Sequence, residues 1–112
     1  MKLTSKQAQP FAKVAFPRYT GRKFTVTYTR RTTIYNTNWD GGSKNDYVAI
    51  SVNTLESKTL VTLAPWQNVV EGKEIDIPAG MMLVCHSKFC GKDMGLEFFV
   101  NPMDAPMILK AG

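Results

Sequence analysis

MMLVCHSKFCGKDMGLEFFV, residues 81–100, is the stretch whose reading decides the fold of this chain. Met81 to His86 reads as a buried strand, fed by a Pro-Ala-Gly turn at 78–80, because apolar residues fill almost every position. LEFFV, 96–100, reads as a second strand that stops at Pro102, which has no N–H to continue a ladder. Between them CHSKFCGKDMG, 85–95, holds both cysteines, the only histidine, two lysines and an aspartate. A hairpin needs only about two to five loop residues, so a polar connection of this length is expected to contact a ligand or partner.

Working outward, KFTVTYTRRT, 23–32, alternates Phe24, Val26 and Tyr28 with threonines, the pattern of a strand with one buried face. YVAISVN, 47–53, places Val48, Ile50 and Val52 on one face and is followed by TLVTLA, 59–64, as an antiparallel hairpin. Two short helices are expected. Residues 5–15 set Phe11, Val14 and Ala15 at helical spacing, with Pro10 in a first turn or a kink, and DAPMILK offers Asp104 as N-cap with Pro106 just inside. The expected fold is mainly β, with α+β as the variant: a small antiparallel sheet rolled or closed into a barrel-like domain, carrying one or two short helices. At 112 residues one domain, 1–112, is expected, with a basic segment over 1–22 and a β-rich body over 23–112.

The net charge of +5 is distributed unevenly. Residues 1–31 hold eight Lys and Arg and no acid, whereas the remainder sets six lysines against nine carboxylates. Arg18, Tyr19, Arg22, Lys23, Tyr28, Arg30 and Arg31 interleave cations with aromatic rings, a combination suited to phosphates and base stacking. The alternative is a solvated face balanced by Glu71, Glu74 and Asp76. No apolar run is long enough to span a bilayer and MKLTSKQAQP carries no export signal, so no membrane association and a cytoplasmic, reducing setting with free thiols are expected.

Cys85, His86 and Cys90 are good zinc ligands, yet zinc takes four and only Asp93 or Asp40 could complete the set. Cys85 and His86 are neighbours on a strand and point to opposite faces, so no metal is expected. A Cys90–His86–Asp93 nucleophile arrangement rests only on nearness in sequence, so no catalytic residue is assigned. The structural alternative makes Cys85 a core residue, turns His86 outward and gives Gly91 and Gly95 to turns. WDGGS, 39–43, is a turn that matches neither a phosphate-binding loop nor a calcium loop, and its Trp39 is either an exposed anchor or a core plug.

WDGGS between tyrosines, then IPAG at 77–80, HSKFCGKD at 86–93 and NP at 101–102 resemble a pattern of small uncharacterised bacterial and phage proteins, over about 35–109. The resemblance implies a bacterial or phage setting inside the cell, and the basic segment lies outside it. These readings lead to a non-enzymatic binding protein without a cofactor, contacting nucleic acid or another anionic partner through the basic N-terminal face. The alternative is a phage or mobile-element accessory protein that grips a host protein. Its contacts would be Trp39, Asp40, Gly41, Gly42, Ser43, His86, Lys88, Phe89, Cys90, Lys92 and Asp93.

Overall fold

The computed structural model describes residues 3–19, 23–34, 43–54, 60–61, 74–89 and 92–110. Helix α1 (Ser5–Ala15) leads through a short 3₁₀ turn into strands β1 (Phe24–Tyr28), β2 (Arg31–Thr33), β3 (Ser43–Ser51), β4 (Leu60–Val61), β5 (Glu74–Asp76), β6 (Met81–Phe89) and β7 (Lys92–Val100). Helix α2 (Ala105–Lys110) follows. The fold is mainly β, as expected, and every described strand pair but one is antiparallel. Five strands form one sheet in the order β1-β7-β6-β3-β4, and β2 pairs with β5 in a separate ribbon. The described strands do not close into a barrel. Instead, β1 and β4 end the sheet, and its two faces are covered by different elements.

Strand alternation assigns the faces. Met82 and Val84 of β6, Leu96, Phe98 and Val100 of β7 and Ile50 of β3 pack with Ala8, Phe11 and Ala12 of α1 and with Ile108 of α2. Ala8, Phe11 and Ala12 are spaced i, i+3, i+4, which brings one helical stripe onto the sheet. The helix starts on a capping box, in which Gln7 N–H donates to Thr4 Oγ1 and the Thr4 N–H to Gln7 Oε1. Pro10 lies inside the helix on its exposed side, where its ring is tolerated at the loss of one backbone bond. The basic N-terminal segment is therefore no detached arm, since Leu3, Ala8, Phe11 and Ala12 belong to the same core as the strands.

The opposite face packs Tyr47, Ala49, Leu83 and Cys85 under Ile34 and Ile75, which the β2–β5 ribbon carries across it. Because both faces are covered, neither set of alternating residues on β6 reaches solvent: Leu83 and Cys85 are buried on one side, Val84 and His86 on the other.

The hairpin differs most from its sequence reading. β6 continues to Phe89 and β7 begins at Lys92, with Lys88 opposite Asp93 and Phe89 opposite Lys92. The expected long polar loop is thus mostly strand, and only residues 90–91 separate the two ladders. Polar residues here are ordinary strand positions near a sheet end, so length no longer argues for binding. The surplus residue goes into a bulge: the register shifts between His86 and Lys88, placing Met94 and Gly95 opposite Ser87.

Candidate functional site

Gly95 is the joint on which the site depends. Its φ of 97° lies in the region L side chains avoid, and a Cβ there would stand 2.6 Å from the carbonyl oxygen of Lys23. That close approach lets β1 lie parallel to β7 from its first residue, with the Leu96 N–H donating to Lys23 O at 2.9 Å. Asp93 holds the bulge from within: its Oδ1 accepts from the Gly95 N–H at 2.8 Å, an Asx turn, and lies 3.0 Å from His86 Nε2. An ionised carboxylate only accepts, so Nε2 carries the proton in this contact.

His86 is 1% exposed. Its ring lies 5.7 Å from that of Phe16, just beyond the end of α1, so the helix closes over the face to which alternation directs it. The outward His86 of the sequence reading is overturned, and with it the role of His86 as a partner contact. Cys85 points to the other face and is buried as expected. Burial, the largest influence, pushes its thiol up to about 11, which leaves almost no thiolate at neutral pH and makes it a poor nucleophile. Among the described residues no three His, Cys, Asp or Glu side chains gather as metal ligands.

Around this buried pair the cations collect. Lys23 and Lys92, both exposed, line a cleft of about 300 Å³ with Asp93, Met94 and Gly95. A second cleft of about 210 Å³, lined by Lys23, Thr25, Ser87 and Glu97 among others, opens beside the bulge. Lys88 stands opposite both Asp93 and Lys44 in the ladder. Arg18 is exposed in the 3₁₀ turn, two residues after Phe16. Lys23, read with the basic residues 18–31, and Lys92 of the hairpin, expected to serve separate sites, thus share one cleft.

The other end of β1 is arranged differently. Arg31 is paired with Asp76 at 2.8 Å, with both side chains largely exposed. Arg30 is exposed, and its carbonyl accepts from the Ile77 N–H at 2.7 Å. Tyr28 is half-buried against the core and its hydroxyl accepts from the Leu3 N–H at 3.0 Å. Tyr19 lies in the 3₁₀ turn, Ser43 starts β3 opposite Phe89, and Phe89 ends β6. Arg22, Trp39, Asp40, Gly41, Gly42 and Cys90 fall outside the described residues.

Sequence reasoning missed the His86–Asp93–Gly95 knot and a second one at the far end. There Asn101, buried, donates to Ile77 O at 2.8 Å and accepts from the Met103 N–H at 3.0 Å, while Asp104 accepts from the Gly80 N–H at 2.7 Å. An Asp two residues before a Gly was a readable signal for the first. At the second, Asn101-Pro102 and Asp104 were legible as a strand stop and a helix N-cap, but their ties to Ile77 and Gly80 lie 24 residues away. No helix among the described residues is long and apolar enough to cross a membrane. No known family model, curated protein or solved structure matches the chain.

Proposed function

We propose that the protein is a non-enzymatic binding protein for an anionic partner, nucleic acid foremost, and that its contact surface is the hairpin end of the sheet. The observation that carries this reading is the shared cleft of Lys23 and Lys92, formed where the parallel β1–β7 pairing begins. Two lysines over one concavity hold a phosphate as point charges, and Lys88, in the adjoining ladder opposite Asp93, adds to the field. Fluorescence anisotropy with single-stranded and duplex oligonucleotides at low salt tests it. Binding that weakens steeply with added salt is expected, and no binding to either form at low salt rejects the reading.

A second reading has its own observation. Ser43, the last residue of WDGGS, stands opposite Phe89, so that segment leads into the same sheet end as the hairpin. A host protein held there is the competing partner. Capture from host lysate with and without nuclease separates the two, because a nucleic-acid tether is lost on digestion and a direct protein contact is not.

A further inference from the structure

Strand β1 ends the five-stranded sheet, and its ladder with β7 fixes which backbone groups face inward. Lys23 O accepts from Leu96 N–H and the Thr29 N–H donates to Val100 O, each at 2.9 Å. In a parallel pair the bonding residues of one strand alternate, so odd-numbered residues serve β7 while Phe24, Val26 and Tyr28 turn their N–H and C=O groups outward. No described residue hydrogen-bonds to those outer groups. Natural edges are usually blunted by proline, a bulge or an inward-pointing charge. FTVTY has none of these.

We infer that the outer edge of β1, unpaired by any described strand, is a docking surface for an extended peptide segment of an acidic partner protein, which adds a strand beside β1. This goes beyond the proposed function, because it concerns the outward backbone edge of β1, which meets the hairpin cleft only at Lys23, and a different kind of ligand. Charge selects the occupant. Lys23 and Arg30 are exposed at the two ends of the strand, and the chain has no acid before Asp40. Acids about seven residues apart on the partner, roughly 23 Å in extended chain, would meet both cations. A second copy of this chain would instead set two acid-free, basic-flanked strands side by side, which like charges oppose. A phosphate backbone could take the outward N–H groups but offers no donor to the outward carbonyls, whereas a peptide strand satisfies both.

The test is amide hydrogen exchange by NMR on the full chain, with a synthetic peptide of three Thr-Val repeats between two glutamates. Exchange of the Phe24, Val26 and Tyr28 amides should slow at least about tenfold, while Thr25 and Thr27, already bonded to β7, keep their rates. The same peptide with lysines in place of glutamates should have no effect. Val26→Pro removes one outward donor and should abolish the protection. Arg30→Glu, an exposed change that does not depend on the strand tolerating proline, should weaken it several-fold. The inference is overturned if the glutamate peptide gives no protection, or if the lysine peptide protects equally. Protection that grows with protein concentration alone would identify a second copy, and protection by an oligonucleotide would assign the edge to phosphate; either result also overturns it.

Discussion

The two ends of the central sheet hold similar residues and use them differently. At the far end the polar groups are consumed by the fold: Arg31 pairs with Asp76, Arg30 O takes the Ile77 N–H, Asn101 ties Ile77 to Met103, and Asp104 ties the turn at Gly80. At the hairpin end the part-buried His86–Asp93 contact holds a bulge in place, and Lys23 and Lys92 line a cleft beside it. A run of cations in the sequence is therefore no measure of a binding face. Topology divides the run: at one end Arg31 is ion-paired to Asp76, and at the other Lys23 lines an open cleft with Lys92.

The contrast breaks most completely at Gly95. Gly95→Ala forces a Cβ toward Lys23 O from a backbone conformation that costs about 1–2 kcal/mol for an L-residue, and overpacking adds about 1–3 kcal/mol. A lowered urea midpoint together with faster amide exchange along β1 is the expected outcome. An unchanged midpoint would mean that the parallel β1–β7 pairing does not depend on this approach. Next is Asp93→Ala, which strips His86 Nε2 and Gly95 N of their acceptor. Leaving a buried donor unsatisfied costs about 1–3 kcal/mol, so denaturant unfolding should show a loss in that range, while an equivalent change at the exposed Asp76 should cost far less.

Cys85 gives a pH test of the covered face. The folded thiol is raised from its ordinary 9.0 to about 11, so between these values the unfolded chain loses a proton that the folded chain keeps. The extra stability is complete below pH 9 and disappears as pH rises toward 11. Cys85→Ser should flatten that part of the stability profile, and native protein should be slow to react with thiol reagents at this residue. The smallest effect is expected of Arg31→Ala. Its ion pair is exposed and exposed pairs contribute about 0–1 kcal/mol, so unfolding should be nearly unchanged.

What the sequence could convey was local. The alternation in FTVTY, the helical stripe of α1 and the apolar run into Met81–His86 each depend on neighbours a few residues away, and each formed the expected element. The site depends on partners far apart in the chain. Thr27 and Glu97, which share a hydrogen bond across the β1–β7 pair, are 70 residues apart, and no local pattern announces a parallel pairing over that distance. The burial of His86 has a related cause. Alternation correctly separated it from Cys85, but an outward direction follows only if one face of the sheet is wet, and Phe16 covers that face. The polar run after Cys85 suggested a loop because lysine, serine and aspartate disfavour strands, whereas pairing with β3 and β7 overrides that preference at a sheet end.

The most direct test of the central claim is the salt dependence of oligonucleotide binding, compared between variants of the two ends. The wild-type chain, Lys23→Ala/Lys92→Ala and Arg30→Ala/Arg31→Ala would be titrated by fluorescence anisotropy over a series of salt concentrations. Each phosphate contact contributes about 0.9 to the slope of log K against log salt for duplex DNA. The Lys23/Lys92 variant is expected to lose close to two such contributions, and the Arg30/Arg31 variant to keep the wild-type slope. Equal losses in both variants, or a loss confined to the Arg30/Arg31 variant, would contradict it.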